Sequence, residues 1–389
     1  MLSKTTAILL AASSFASASS PYPPFSGDPF KKYTLKAKGI EASFIPYGAR
    51  LTNLYVNDKN GKAQDVVLGY DDGNQYLKDT EGPHTYFGPI VGRYANRIKN
   101  GTFTIDGVTS HIPTNENKGK DTLHGGFVGY DQQNWTVTAV TSNSITFSFY
   151  DEAQSGFPGD VLNVATYTLS DDASWTSRMI SIPVTGPTPI MLANHVYWNL
   201  GAFVDEEAQL ILNDTLYMPL ADRIIDIDGI EVPTGAINLT AGGLYDFTAP
   251  KTIGQDMFKL QNSCGTGCVG YDNAFINDRP RGVAIDDPTV EVLRMSSPST
   301  GIQMSLETNQ QGLQIYTCSG QNGTIPVKKS QQHLQGKTAY VQKYGCIVIE
   351  TQDWIDGINQ QQWGRNEYQV FDTLSQPAIN FAKYKFSCV

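Results

Sequence analysis

No apolar run in this 389-residue sequence approaches the roughly 20 residues that a membrane-crossing helix requires. Helical periodicity over ten or more residues is almost absent, as are internal repeats, low-complexity tracts and a clear linker. There is no glycine-rich nucleotide fingerprint and no clustered cysteine–histidine set, so the motifs imply neither a cofactor nor a metal. Charged residues make up only 17% of the chain and sum to −10, which argues against nucleic acid or an anionic membrane as a partner. What is present is 40% hydrophobic, ample for a globular core.

The first eighteen residues read as a secretory signal. Lys4 supplies the basic start, residues 6–12 a short apolar core, and Ala16-Ser17-Ala18 a small-residue cleavage site. Pro21, Pro23 and Pro24 follow at once and oppose a helix of the fold there. A secreted, extracellular chain is the expectation, with residues 19–389 as one domain. Sequons at Asn100, Asn134, Asn213, Asn238 and Asn322 agree with export and predict exposed loops or turns. The five cysteines are an odd number, so at least one thiol stays free. Cys264 and Cys268, with Gly265 and Gly267 between them, form the natural local disulfide. Pairing among Cys318, Cys346 and Cys388 is open.

Short alternating segments dominate from residue 33 onward. Strands are predicted at 33–37, 41–46, 50–56, 66–70, 101–105, 135–140, 144–150, 161–169, 177–184, 189–196, 209–212, 290–295, 303–308, 312–318, 346–351 and 382–386. Asp106-Gly107 marks a tight hairpin turn. The pattern predicts an all-β fold, a large antiparallel β-sandwich in a single domain. Residues 262–268 and 319–336 read as rim loops or insertions.

The chemistry collects in five stretches. Tyr344 to Gln352 is apolar on both faces, so it should be covered on both sides, yet it carries Glu350. Burying a carboxylate costs several kcal/mol, so Glu350 is either a general base or acid, or half of an ion pair with an arginine. His124 precedes Gly125 and Gly126, which permit a close approach of backbone or ligand. His195 ends a predicted strand among Asn194, Tyr197, Trp198 and Asn199, the aromatic and polar mixture that a sugar site needs. Arg93, Asn96 and Arg97 suit either clamping of ligand hydroxyls or partnering of Glu350. Asp272, between aromatics, would accept hydroxyl bonds or cap a turn, and taken alone the turn is favoured. Each histidine alone also reads as a core residue satisfied by backbone, and His84, His111 and His333 are placed in that class.

In their order along the chain, Gly92-Arg93-x-Ala95-Asn96-Arg97-Ile98, Leu123-His124-Gly125-Gly126, Asn194-His195-x-Tyr197-x-Asn199-Leu200, Tyr271-Asp272-Asn273 and Ile349-Glu350-Thr351-Gln352 resemble the aldose 1-epimerase (mutarotase) family, and the export features resemble its secreted fungal members. The likeness runs from about residue 35 to the C-terminus. It implies a galactose mutarotase-like supersandwich and cofactor-free interconversion of α and β anomers of a free aldose. It further implies Glu350 as base at the C1 hydroxyl, His195 as acid at the ring oxygen, and His124 as a supporting histidine. Asn96, Arg97, Asp272 and Gln314 would bind hydroxyls. Ring opening removes a proton at one oxygen and supplies one at another, so acid and base are expected on opposite sides of the sugar. Tyr197 and Trp198 are the expected walls, with one of them free to face the core.

Two departures stand out. Many family members carry proline where Gln311 stands and another after Asp353, near Ile355, and both changes are expected to alter the rim of the site. Cys346 shares strand parity with Glu350, which would place it below the base or in the core, the latter being favoured. The competing functions are a non-catalytic carbohydrate-binding protein on the same scaffold and a glycoside hydrolase using Asp272 with Glu350. A hexose phosphate suits an acidic extracellular chain less well than a neutral sugar.

Overall fold

Alternation of buried and open residues, as along Val161–Ser170, leaves one face of each strand to be covered, and antiparallel sheets supply the cover. The structure, a computed structural model, describes residues 27–284 and 286–389, so the signal segment 1–18 lies outside the described residues. A nine-stranded antiparallel sheet forms one layer, built around Val161–Ser170, Ser174–Pro183 and the long Ala378–Cys388. A six-stranded sheet lies against it in the order Tyr197–Trp198, Ile347–Gln352, Gly312–Tyr316, Asp272–Ile276, Arg223–Ile227, Pro233–Leu239. The two layers meet through rings. Trp198 of the smaller sheet packs on Trp175 and Tyr384 of the larger one, at 6.2 and 5.2 Å. A four-stranded N-terminal meander joins the same core, with Phe44 stacked on Tyr167 at 4.8 Å.

The all-β expectation holds, and the Asp106-Gly107 hairpin forms between Thr102–Ile105 and Val108–His111. Several segments differ. Residues 66–70 form no strand, Val67 making only an isolated bridge to Trp198. Residues 189–196 break into fragments, because Met191 bonds Arg93 while Ala193 and Asn194 pair with Val91 and Ile90. Residues 209–212 are a 3-10 turn (Glu207–Gln209) and the chain beyond it. Arg223–Ile227 and Pro233–Leu239 are strands without a sequence forecast, their signal masked by charge, Pro233 and Gly235. Residues 271–275 are not a turn. Asp272–Ile276 lies between two partner strands, and ladder bonding there overrides local turn preference. A helix, Gly73–Thr80, is started by a capping box on Asp72.

Cys264 and Cys268 are bonded, and Cys388 is the free, exposed thiol. Cys346 does not line the cavity but is fully buried in a core cluster, as favoured, where it is bonded to Cys318. Arg93, a candidate clamp, turns away from any ligand. It bonds Asp151 and the carbonyls of Pro158 and Gly159, all within 2.8 Å, and so fixes the start of the segment that carries Asn96 and Arg97. Both Arg93 and Asp151 are fully buried. Arg93→Ala would strand the Asp151 carboxylate in the interior, so urea unfolding should show a loss of about 3–5 kcal/mol.

Candidate active site

Strand period decides what faces what. Ile347 and Ile349 point into the main core, so Glu350 points to the opposite face of the sheet, and Leu313 and Ile315 likewise turn Gln314 outward. The register pairs Gln314 directly with Glu350. On the next strand Asp272 accepts a 2.6 Å bond from Gln314 Nε2. Three adjacent strands thus form a polar floor of Glu350, Gln314 and Asp272. All six residues of Ile347–Gln352 are buried, as two-sided cover requires.

The walls come from loops. His195 is held through its own backbone, its N–H donating to Pro89 and its carbonyl accepting from Gly88, both at 2.9 Å. Its Nε2 lies 3.7 Å from Glu350 Oε1, beyond hydrogen-bond length. His124 stands edge-on to His195 with ring centroids 5.1 Å apart. Its Nδ1 accepts from the Asn96 N–H at 3.1 Å, which leaves Nε2–H to donate into the site. Gly125 permits this turn, since a Cβ there would meet the Gly92 carbonyl at 2.0 Å. The closeness of His195 and Glu350 corrects the expectation of groups on opposite faces of a sugar. The two oxygens to be served, O1 and O5, hang on the same carbon, so neighbouring groups reach both.

Neither arginine pairs with Glu350. Arg97 bonds Glu116 through Nε at 2.7 Å and Nη2 at 2.9 Å, and also ion-pairs with Glu231. The cavity above the floor measures about 540 Å³ and includes every proposed site residue: Asn96, Arg97, His124, His195, Tyr197, Asp272, Gln314 and Glu350. Tyr197 is a wall, whereas Trp198 belongs to the core. The two rim loops arrive as forecast, as Thr266, Gly267, Ser319 and Gly320. Gln311 does not reach the rim. It accepts from Arg365 beside a separate cavity of about 280 Å³ that shares no lining residue with the first, and Ile355 is buried in a side core with Trp354.

Tyr86, Glu116 and Glu231 also line the cavity and escaped sequence reasoning. Tyr86 offered a signal in the aromatic pair before Gly88-Pro89. It stacks on His84 at 3.9 Å and lies edge-on to His124 at 4.9 Å. His84, in turn, bonds Asp131 at 2.8 Å, so it is a side-chain-paired residue behind the wall rather than a core histidine satisfied by backbone. Glu231 had no signal, because its two flanking strands were themselves unseen.

Burial sets the electrostatics. It pushes the Glu350 carboxyl up to about 8, with Asp272 adding to the rise and Arg97 opposing it. Burial also brings His195 down to about 3 and holds His124 well below the usual imidazole range. Asp272 rises to about 6 for the same reason, against the pull of Arg97. Near neutral pH the site therefore carries its proton on Glu350 and keeps both imidazoles neutral. His124, His195 and Glu350 each offer one ligand atom within 4.8 Å of the others. Tetrahedral zinc with bonds of about 2.1 Å would need these atoms roughly 3.4 Å apart, so the trio would have to contract to hold one.

A family model described as aldose 1-epimerase matches residues 31–369. The chain is 47% identical over 387 residues to the probable aldose 1-epimerase of Arthroderma benhamiae, covering 93% of this chain and 87% of the relative. It is 31% identical over 342 residues to the galactose mutarotase of Rattus norvegicus, covering 87% and 90%. Among solved structures, an aldose epimerase homologue from C. elegans superposes with a TM-score of 0.75 at 26% identity, over 92% of this chain and all of that one.

The raised Glu350 carboxyl makes a stability prediction with a definite sign. Between its ordinary value of 4.5 and about 8 the folded state holds a proton that the unfolded state has released, so stability falls as pH rises through that window. Glu350→Gln removes the penalty. The variant should melt higher than wild type, with a gain that is small below pH 4.5 and grows to about 5 kcal/mol above pH 8. A gain independent of pH would contradict the burial of this group.

Proposed function

The chain belongs to the aldose 1-epimerase family, and from that premise we propose that Glu350 and His195 open and reclose the pyranose ring of a free aldose in this cavity. The protein is an isomerase of the mutarotase class, acting on small sugars. The observation that carries the assignment of roles is the buried pair itself, 3.7 Å apart at the cavity floor.

With Glu350 ionised and His195 protonated, the carboxylate takes the C1 hydroxyl proton while the imidazolium delivers one to the ring oxygen. The C1–O5 bond breaks, leaving an aldehyde, and rotation about C1–C2 presents its other face. Return of both protons closes the opposite anomer. The pair holds one proton throughout, moving it between two tautomers. The open-chain stage leaves the proton on Glu350 and His195 neutral, the arrangement that burial favours. His124 Nε2–H donates to a sugar oxygen, and Asn96, Arg97, Asp272 and Gln314 bind hydroxyls. Tyr197 forms part of the wall behind them.

Glucose and galactose are the proposed substrates. Extracellular location is proposed as well. Two disulfides suit an oxidising compartment, and all five sequon asparagines are exposed. Among the described residues no helix is long and apolar enough to cross a membrane.

Polarimetry on fresh α-D-glucose and α-D-galactose tests the assignment. Wild type should speed the approach to anomeric equilibrium, and Glu350→Gln should bind sugar yet leave the buffer rate unchanged; a variant that kept most of its rate would remove Glu350 from the chemistry. His195→Asn should lower kcat far more than it raises KM, and equal losses would make His195 a positioning residue. After subtraction of the uncatalysed rate, kcat/KM should fall as pH rises through about 8, because the pair then loses its one proton and no acid remains. A rise through the same pH would mean that only the ionised base matters.

A further inference from the structure

One ring in the cavity wall touches both site histidines, and it is backed by a pair that never reaches the cavity. Tyr86 lies edge-on to His124 at 4.9 Å and tilted to His195 at 5.6 Å. The His84 ring stacks on it at 3.9 Å, with the two planes 22° apart. His84 Nε2 is in turn 2.8 Å from Asp131 Oδ2, and neither His84 nor Asp131 lines the cavity. Asp131 is buried and its Oδ1 has no partner among the described residues, so His84 is what makes the burial of that carboxylate tolerable.

The backbone that carries these rings is strained and tied down. His84 and Tyr86 both take left-handed conformations, with φ of 53° and 59°. Asp79, buried near the end of the helix Gly73–Thr80, accepts from the His84 N–H at 2.7 Å through its carbonyl. Its carboxylate accepts from the Thr85 N–H and hydroxyl, both at 2.8 Å. Buried Arg50 donates to the Phe87 carbonyl at 2.7 Å and to the Asp131 carbonyl at 3.0 Å, which joins the two sides of the His84–Asp131 contact. A left-handed histidine and tyrosine persist only where the surroundings over-determine them, and such strain collects at functional sites.

Resting on the reading of Glu350 and His195 as the reacting pair, we propose that His84, anchored by Asp131, is a positioning residue that acts through Tyr86 on the His195 ring. The backbone of His195 is held, but its ring is not held by hydrogen bonds. Its buried Nδ1 has no partner among the described residues, and its Nε2 lies 3.7 Å from Glu350. The angle of the imidazole is therefore set by packing against the rings of Tyr86, His124 and Tyr197. Without His84, Tyr86 gains room to tilt back, and the His195 Nε2 that must meet the ring oxygen gains room to turn. Proton delivery depends on that aim, since a misplacement of about 1 Å can cost on the order of a hundredfold in rate.

The test is polarimetry on fresh α-D-glucose and α-D-galactose with the full-length protein, run well below each variant's melting temperature and normalised to folded protein. Every variant carries Asp131→Asn, so that no lone carboxylate is left buried. Adding His84→Ala should lower kcat about tenfold while KM stays within about twofold of wild type. Adding His84→Phe instead keeps a ring against Tyr86 and should bring kcat back to within about threefold of wild type. With Tyr86→Ala also present, the exchange of His84 for alanine should cost less than about twofold, because its route to His195 is already gone. The proposal is overturned if the alanine variant melts lower with kcat unchanged, if phenylalanine is no better than alanine, or if the loss is the same with and without Tyr86. If wild type turned over neither sugar, the catalytic reading would fail separately. The ring-proton NMR signals of His195 and His124 would then judge His84: they must shift in the alanine variant, and unmoved signals overturn the proposal.

Discussion

Everything at the site depends on one carboxylate buried at the floor of the cavity, almost shielded from water. Glu350 occupies a strand whose six residues are all buried, and no arginine neutralises it. The cost of that burial is what raises its proton affinity into the working range of acid–base chemistry. The same burial strips the proton from His195, so the two groups share one proton rather than each holding or releasing its own. A site built this way needs no cofactor to move a proton, only two groups of matched affinity within reach of one carbon.

The surrounding structure keeps that arrangement from collapsing into an ordinary ion pair. Arg97 stands beside the floor and would pull Glu350 down further if it turned toward it, but Glu116 and Glu231 engage its guanidinium instead. Arg93, its neighbour in sequence, is spent on Asp151 and fixes the backbone instead. Tyr86, Asn96 and His124 all take left-handed backbone conformations, an energetic cost of the order of 1 kcal/mol each that the surrounding bonds sustain. The His124 Nδ1 bond to Asn96 locks two of those residues together and selects the tautomer that donates inward.

Alternating strands were legible because burial on one face writes itself into sequence with a period of two. Where a strand carried Pro233, Gly235 or the polar pair Asp272-Asn273, local preference spoke for a turn and pairing with neighbours overruled it. The long segment at 189–196 failed for the opposite reason: apolar and continuous, it is divided among three different backbone partners. The site residues were legible because scarce histidines and one buried carboxylate stood out against an otherwise plain composition. Glu116 and Glu231 were not, since an acidic residue in a loop looks like any solvated charge until its partner is known.

The sequence by itself determined the inventory: an all-β chain, a carboxylate in an apolar strand, two histidines in glycine-rich or aromatic company, and cysteines at positions that allow a local bridge. Only the tertiary structure decided how these act on one another. It paired Cys346 with Cys318, turned Trp198 into the core and Tyr197 to the cavity, and brought His195 within 3.7 Å of Glu350. It also sent both arginines to other acids. The physical reason is that charge neutralisation and burial depend on distance in space, and the groups that settle the state of Glu350 come from strands and loops far apart along the chain.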